Sequence, residues 1–385
     1  MPCLTTAERK TAGVLGASPT LITAAVIVID NLLLRPVSRY MVSGLTEEFH
    51  QEFPNPRPAC SARSQTMHSS ILTAAALSLI YVDWAGASAG DRSWIYQKCV
   101  KNCSTSNCTD VETFLQKQPY HLQLLQWNCT DECQYECMWS TVEAFRRDGS
   151  GVPQFHGKWP FVRFFGVQEP ASTLFSILNA LSHLGLIWFW SKVSKPCPLY
   201  YVWHGAAMVG INAWTWSTVF HTRETDFTEK MYYFFGFSIV LYNVFIFSCR
   251  ILGTKIRWRQ CLVGVILLVI YAQHIHYLTF IKFDYGYNMK MNLLFGMVNM
   301  VGWLIWCGVK YKKQRYVWKC AAVVLGINAL LLLEVFDFPP FWWALDAHAL
   351  WHAGTAYLGL LWYSFIIDDS LYLKQWEEDM ALKLD

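Results

Sequence analysis

Seven long runs of apolar residues, separated by short polar segments, fill the chain after residue 170. They cover residues 171–190, 198–220, 231–249, 261–281, 291–309, 320–333 and 347–367. Most of them supply the roughly 20 residues that a helix needs to cross the hydrocarbon core of a bilayer. The sixth run is short unless it continues through Glu334. The pattern predicts an all-α membrane protein with seven transmembrane helices over residues 170–368 and a tail over residues 369–385.

The basic residues of the connecting segments indicate the orientation of these helices. Eleven lysines and arginines follow runs one, three and five, whereas four follow runs two, four and six. Loops rich in positive charge stay in the cytosol. The first set of loops is therefore predicted to be cytosolic and the second lumenal. Seven crossings then place the C-terminal tail in the cytosol and the segment before residue 170 in the lumen.

The N-terminal part of the chain has the layout of a secretory signal preceded by an extra segment. From Met67 a short polar start leads into an apolar stretch, and Ala87-Ser88-Ala89 offers the small residues of a signal-peptidase site. We therefore predict a signal peptide over residues 67–89. Residues 1–66 are then a non-native extension from an upstream start or, alternatively, a disordered cytosolic leader.

Six of the thirteen cysteines cluster in the segment that follows the predicted cleavage site. They are Cys99, Cys103, Cys108, Cys129, Cys133 and Cys137. An even, clustered set behind a signal peptide favours disulfides in an oxidising compartment over a zinc site. Six cysteines allow fifteen pairings, and the sequence does not choose among them. Residues 90–169 are predicted to be a disulfide-rich lumenal module.

Three N-glycosylation sequons interleave with these cysteines. Asn102, Asn107 and Asn128 are each followed by a cysteine and then by serine or threonine. Because the middle residue of every sequon is a clustered cysteine, disulfide formation competes with modification. We expect partial use of these sites at most.

The composition supports a membrane protein and argues against nucleic-acid binding. The chain is 54% apolar and 15% charged, against about 25% charged residues in soluble domains. The formal net charge is +3, and no basic stretch is long enough to indicate a nucleic-acid partner. Membrane lipids are the expected surroundings.

Two motifs at the ends of distant apolar runs carry candidate chemistry. Ser217 and His221 are four residues apart, and so are His348 and His352. Residues four apart share one face of a helix, one turn from each other. Both helix ends are lumenal in the predicted topology, and ionisable groups inside a membrane are costly and usually functional.

Three neutral imidazoles and a water form a common catalytic zinc arrangement, because the fourth position holds the water that the metal acidifies. The two motifs therefore predict a metal site made of His221, His348 and His352. The alternative is a set of interior histidines, each hydrogen-bonded to its neighbours.

From about residue 90 onward the chain resembles the Per-like family. The resemblance is carried by residues 153–161, 168–172, 212–223, 283–288, 337–340, 346–352 and 368–373. Residues 1–66 have no counterpart in it. The family belongs with the alkaline ceramidases and the progestin/adipoQ receptors to a superfamily of seven-span hydrolases.

The resemblance implies fatty-acid remodelling of glycosylphosphatidylinositol (GPI) anchors in the membrane of the Golgi or the endoplasmic reticulum. Such an enzyme removes the unsaturated acyl chain from the sn-2 position, so GPI-anchored proteins are the expected substrates. The superfamily's zinc ligands correspond to His221, His348 and His352, and its serine corresponds to Ser217. The expected enzyme is a zinc-dependent acyl-ester hydrolase.

One position departs from the superfamily pattern. The superfamily has an aspartate eleven residues after its first histidine, where this chain has Tyr232. A carboxylate there would orient the reacting water or take its proton. A tyrosine, whose ordinary pKa is near 10, is not the same base at neutral pH. Glu229 or Asp226 would substitute for it, unless both lie in a solvated loop.

Several other polar residues admit both a functional and a structural interpretation. Ser217 is expected to hydrogen-bond the developing oxyanion or the water, or else a helix carbonyl one turn earlier. Asp346 either orients an imidazole or places its charge at a helix N-terminus. Glu334 and Asp284 are expected to be structural.

The alternative to an enzyme is a seven-span receptor or lipid-binding scaffold that keeps the metal for stability, because Tyr232 replaces the expected aspartate. Metal together with released fatty acid would indicate the enzyme, and metal without turnover would indicate the scaffold. A transporter fits less well, since the chain shows neither an internal repeat nor a pair of broken helices.

Overall fold

The computed structural model describes residues 88–253 and 257–382. The predicted extension over residues 1–66 lies outside the described residues, as does the predicted signal peptide except for its last two positions. In the described part the chain is helical, and its only β-type pairing consists of three isolated bridges, in short turns at Phe155–Lys158, Phe164–Val167 and Phe341–Leu345. The all-α prediction is confirmed for this part.

The segment before residue 170 forms short helices of its own. They are α1 (Ala89–Arg92), α2 (Trp94–Asn107), α3 (Val111–Lys117), α4 (Tyr120–Leu124) and α5 (Cys129–Arg147). Helix α5 begins with a reciprocal cap, in which the Asn128 side chain accepts from the Asp131 amide at 2.9 Å and the Asp131 carboxylate accepts from the Asn128 amide at 3.0 Å.

Three disulfides join the two longest helices of this segment. They pair Cys99 with Cys137, Cys103 with Cys133, and Cys108 with Cys129. The pairs are nested, so α2 and α5 lie side by side in opposite directions with their cysteines spaced about one turn apart. The prediction of a disulfide-rich N-terminal module is confirmed, and its pairing is now defined.

The rest of the described chain is a bundle of long helices. They are α6 (Pro170–Ser182), α7 (Gly185–Lys192), α8 (Tyr200–Thr222), α9 (Asp226–Leu252), α10 (Arg257–His276), a π-helical turn (Tyr277–Ile281), α11 (Tyr285–Lys310), α12 (Val317–Phe336) and α13 (Ala347–Leu382). Each of the seven predicted runs is helical, but the first is broken near His183 into α6 and α7.

Five helical segments among the described residues are long and apolar enough to cross a membrane. They are Pro170–Lys192, Asp226–Leu252, Arg257–Ile281, Tyr285–Lys310 and Val317–Phe336. Helices α8 and α13, which carry the histidine motifs, are not among them. Both are rich in tryptophan, tyrosine and histidine, whose amphipathic rings lower the mean hydropathy of a helix. The structure thus supports a membrane protein with five apolar candidate spans.

The helices pack in a closed circuit. Helix α6 contacts both α8 and α13; α8 then contacts α9, α9 contacts α11, α11 contacts α12, and α12 contacts α13. Helix α10 packs on the outside of this circuit, against α9. Because α6 touches both helices that carry the histidine motifs, it brings the end of α8 and the start of α13 together.

A buried ion pair fixes the far part of α13. Asp369, which is fully buried, accepts hydrogen bonds from the Arg250 guanidinium at 2.7–3.0 Å and from the Tyr316 hydroxyl at 2.7 Å. Arg250 is in α9 and Tyr316 caps the start of α12. Helix α13 continues without a break past residue 368, the end of the predicted membrane domain, to Leu382.

Candidate metal centre

The histidines are held by three helices that meet at one end of the bundle. Ser217 and His221 lie on the last two turns of α8, and His348 and His352 lie on the first two turns of α13. Between them, Asn179 of α6 donates a hydrogen bond to the backbone carbonyl of His352 at 2.7 Å. The predicted four-residue spacings therefore place the side chains on facing helix surfaces.

The three imidazoles converge through the same ring nitrogen. The Nε2 atom of His352 lies 3.0 Å from Nε2 of His348 and 3.3 Å from Nε2 of His221. All three ligand atoms lie within 4.8 Å of one another. His221 and His352 are buried, whereas 26% of the His348 side chain is exposed, so the site is open on the His348 side.

This geometry fits a cation with tetrahedral coordination. Nitrogen ligands about 2.0–2.1 Å from a tetrahedral zinc ion lie about 3.3–3.4 Å from one another. The observed separations of 3.0 and 3.3 Å are close to that value. Neutral imidazoles carry one lone pair each, and three lone pairs aimed at one point repel unless a positive charge lies between them.

Carboxylates hold the opposite nitrogens of two of the rings. Glu169 lies 2.8 Å from Nδ1 of His221, and Glu334 lies 2.8 Å from Nδ1 of His348. Each carboxylate favours the tautomer with the proton on Nδ1, which leaves Nε2 free as a ligand. Nδ1 of His352 is buried and has no hydrogen-bond partner in the described part of the chain. The donor set therefore suits a metal ion.

Glu169 is shared between this site and the N-terminal module. Its other carboxylate oxygen accepts a short hydrogen bond from the ammonium group of Lys158. Burial alone would raise the pKa of Glu169, but Lys158 and then His221 hold it well below its ordinary value. Burial would likewise lower the pKa of Lys158, yet Glu169 and Glu224 raise it above its ordinary value. Both groups are charged at neutral pH.

Tyr232 of α9 faces the cluster. Its hydroxyl lies 3.4 Å from Nε2 of His348, and its ring stacks on Phe220 with centroids 4.6 Å apart. The position where the superfamily pattern has an aspartate is thus next to the convergence point. A phenol there is a hydrogen-bond donor rather than a base at neutral pH.

Ser217 is hydrogen-bonded to Ser176 of the neighbouring helix α6. Its hydroxyl lies 2.9 Å from that of Ser176 in α6, which itself donates to the carbonyl of Ser172 at 2.7 Å. The Ser176 proton is therefore engaged, and Ser217 is the donor of the pair. Its predicted alternative, a bond to the carbonyl one turn earlier in α8, is not the arrangement observed.

The comparisons with known proteins agree on one family. The chain matches the Per1-like family over residues 119–370. It is 45% identical to a Danio rerio protein named "GPI-specific phospholipase A2-like PGAP3" over 304 residues, which are 78% of this chain and 96% of the relative.

The chain belongs to the Per1-like family.

Two further relatives have similar coverage. A Homo sapiens protein, also named "GPI-specific phospholipase A2-like PGAP3", is 44% identical over 78% of this chain and 95% of its own length. A Drosophila melanogaster protein named "Post-GPI attachment to proteins factor 3" is 38% identical over 73% of this chain and 88% of its own length. No solved structure matches the chain.

The candidate substitutes for the missing aspartate lie elsewhere in this Per1-like chain. Asp226 is exposed at the start of α9. Glu229 is half-buried, and no hydrogen bond joins it to any of the three histidines in the described part of the chain. Glu229 interacts electrostatically with charged neighbours that include Glu224 and Lys158.

Two further acidic residues lie at helix starts. Asp346 accepts from the Ala349 amide at 2.8 Å and so caps α13, and burial raises its pKa to about 6. Asp284 caps α11 by accepting from the Tyr287 amide at 2.9 Å. The structural interpretation of Asp284 agrees with this contact.

Sequence reasoning missed the partners of the histidines. Glu169 enters the sequence analysis only within the family run 168–172, and Glu334 is expected there to be structural. Glu169 precedes Pro170 in a loop, 52 residues before His221 along the chain. A loop residue has no periodicity to reveal its orientation. For Glu334 the sequence does carry a signal, because a carboxylate near the end of an apolar helix is usually functional.

The sequon residues lie on the disulfide module. Asn102, Asn107 and Asn128 are all exposed. Each is followed by a disulfide-bonded cysteine, and the carbonyl of the Asn128 side chain caps α5. Their modification stays a prediction.

Proposed function

We propose that this chain is a zinc-dependent hydrolase that removes the sn-2 acyl chain from the lipid of GPI-anchored proteins. The observation that carries the proposal is the convergence of three Nε2 atoms, two of them backed by carboxylates. Its support from relatives is the printed description of several of them as GPI-specific phospholipase A2-like. The reaction consumes one water and yields a free fatty acid and a lipid with one hydroxyl in place of the ester.

The chain's own residues prepare the site for this chemistry. His221, His348 and His352 would hold the ion, while Glu169 and Glu334 keep protons on Nδ1. A zinc ion bound there would acidify a water molecule and polarise the ester carbonyl. The open side at His348 admits an ester from the surrounding lipid, and the buried sides exclude bulk water.

Ser217, one helical turn before His221, and Tyr232, beside His348, would supply hydroxyl donors. After rotation about its Cα–Cβ bond, the Ser217 O–H that now points to Ser176 would stabilise the developing oxyanion. The Tyr232 phenol lies beside His348 and supplies a second donor. Ser217 is not proposed as an acyl-enzyme nucleophile, since no Gly-x-Ser-x-Gly elbow surrounds it.

The proposed topology has seven spans. Helices α8 and α13 close the packing circuit between helices apolar enough to span a membrane, so we place them in the bilayer as well. The disulfide module is then lumenal, the C-terminus is cytosolic, and the protein resides in the Golgi membrane or the endoplasmic reticulum. Protease protection of tags at residue 90 and at the C-terminus in sealed microsomes tests this arrangement.

The test of function uses cells that lack their own GPI sn-2 deacylation. The parent chain and the variants His348→Ala and His352→Ala are expressed to equal levels, and the acyl composition of purified GPI anchors is measured. The parent should lower the unsaturated sn-2 content and retain zinc on purification, whereas the variants should do neither. Equal remodelling by the parent and the variants would overturn the proposal.

A scaffold or receptor function remains the second candidate, and Tyr232 is the observation that favours it. A phenol at this position is a poor base at neutral pH. In that case the purified parent would contain zinc and bind GPI lipid, yet would release no fatty acid above the His348→Ala background.

A further inference from the structure

A short segment of the disulfide module reaches the metal centre from outside the helix bundle. Residues 154–159 follow α5 and include a tight turn in which Phe155 and Lys158 pair through two backbone hydrogen bonds of 2.8 and 2.9 Å. Phe155 packs in the small core of the module with Tyr96 and Val142. The position of Lys158 is therefore set by the disulfide-linked helices.

The ammonium group of Lys158 lies between two carboxylates. It donates to Glu169, and it lies 2.9 Å from Glu224, just past the end of α8. It also sits 4.1 Å from the ring centroid of Phe220, next to His221. The Lys158 side chain is 24% exposed and that of Glu169 only 4%, so the charge pair is poorly screened by solvent.

Glu169 is fixed by His221 at two points. Its backbone amide donates to the His221 carbonyl at 3.0 Å, and its carboxylate contacts Nδ1 of the same residue at 2.8 Å. The backbone hydrogen bond fixes the position of the Glu169 main chain. The orientation of its carboxylate depends on the two groups that contact its oxygens, His221 and Lys158. Lys158 is the partner that lies outside the histidine site.

The same segment holds the helix that carries Glu334. Asp337 ends α12, three residues after Glu334, and has a backbone φ of +24°, which is unusual for a residue with a side chain. Its two carboxylate oxygens accept from Trp159 at 2.6 Å and from Gln154 at 2.9 Å. The module thus contacts both carboxylate-bearing segments of the site.

We propose that Lys158 is a positioning residue of the metal centre, whose ammonium group holds the Glu169 carboxylate in the orientation that aligns His221. The inference rests on the proposed metal site and assigns a role to the disulfide module within it. Without the lysine, one oxygen of a buried carboxylate loses its charged partner, and Glu169 turns away from the geometry that presents Nε2 of His221.

The test measures zinc affinity of the full-length chain in detergent, by competition with a chelator. The variants are Lys158→Met, Lys158→Arg, Glu169→Gln and the double variant of Lys158→Met with Glu169→Gln. Lys101→Met is the matched control, since Lys101 is an exposed lysine of α2 in the same module. Lys158→Gln replaces Lys158→Met where the methionine variant does not fold.

Lys158→Met should lower zinc affinity by about 10-fold, the lower end of the range for lost outer-shell partners, because the lysine acts one contact further out through Glu169. Lys158→Arg should stay closer to the parent because it keeps the charge, and Lys101→Met should match the parent. If the lysine acts through Glu169, the double variant should lose no more than Glu169→Gln alone.

Equal affinity of the parent and Lys158→Met would overturn this inference while leaving the proposed function intact. Fully additive losses in the double variant would also overturn it, because the lysine would then act by another route. A folded parent protein that binds no zinc would overturn the metal site and the inference together.

Discussion

Replacing Glu169 with glutamine is expected to weaken metal binding more than the same replacement of Glu334. Both carboxylates lie 2.8 Å from Nδ1 of their histidine, so the contact geometry is the same. Glutamine keeps the shape but removes the charge and replaces one acceptor oxygen with a donor. At Glu169 both oxygens accept, so glutamine also loses one of the contacts with Lys158 and His221. Comparing the two variants therefore tests burial together with the Lys158 contact, which of these two carboxylates only Glu169 makes among the described residues.

The difference in magnitude follows from exposure. The Glu169 side chain is 4% exposed, whereas that of Glu334 is 39% exposed and is screened by solvent. Loss of an outer-shell partner lowers metal affinity by about 10–100-fold. We expect Glu169→Gln near the upper end, about 2.8 kcal/mol, and Glu334→Gln near the lower end, about 1.4 kcal/mol, using 1.4 kcal/mol for each factor of ten.

A second effect acts in the same direction at Glu169. Glutamine there leaves the Lys158 ammonium with Glu224 as its remaining carboxylate partner, so positive charge next to the site is less well compensated. A bound cation is disfavoured by this uncompensated charge. At Glu334 no lysine or arginine shares the carboxylate in the described part of the chain, so no such effect is added.

The assay is zinc competition against a chelator with the full-length protein in detergent, with thermal unfolding measured in parallel. Glu143→Gln serves as the control, because Glu143 is 72% exposed on α5 and its ion pair among the described residues is with Arg147, one turn away. Equal losses at positions 169 and 334, or a larger loss at 334, would refute the argument from burial.

Three further predictions test other parts of the structure. Tyr232→Asp should raise fatty-acid release from GPI anchors by about 100-fold or more, since a positioned base contributes that much. Equal remodelling by parent and variant, in cells that lack their own GPI sn-2 deacylation, would show that position 232 is dispensable. Arg250→Met should destabilise the helix bundle by about 3–5 kcal/mol in thermal unfolding, because the buried Asp369 carboxyl would lose its guanidinium partner; an unchanged melting temperature would contradict this. Replacing Cys103 and Cys133 with serine should cost the module about 2–5 kcal/mol in denaturant unfolding, and a smaller loss would mean that the remaining two disulfides suffice.

The helical content of the chain was predictable from hydrophobicity, whereas its interruptions were not. All seven apolar runs are helical, because a helix satisfies its backbone hydrogen bonds within one continuous segment in an apolar environment. The break near His183 has no proline, and its one local signal is Gly185 at the start of α7, where a side chain would collide with the Tyr363 ring. It lies where the His183 ring bonds to the Tyr363 hydroxyl at 3.0 Å, a contact with a distant helix that local sequence does not encode.

The histidine motifs were recognisable because four-residue spacing places side chains on one helix face. That spacing predicts partners within α8 and within α13, but the meeting of the two helices depends on how α6 packs between them. The carboxylates behind the rings come from a loop and from the end of α12. Their contacts with Nδ1 depend on tertiary packing, so no periodic pattern in the sequence predicts them.

Helix α13 carries two of the three histidines on its first turns and is clamped much further along by Asp369. With 36 residues it is about 54 Å long at 1.5 Å per residue. The helix is held at two distant points, by the Arg250 guanidinium at Asp369 and by Asn179 at the His352 carbonyl, and both contacts oppose its rotation. In the proposed metal site, His348 and His352 would therefore act together as one bidentate ligand, whereas His221 would be positioned separately, by α8 and Glu169.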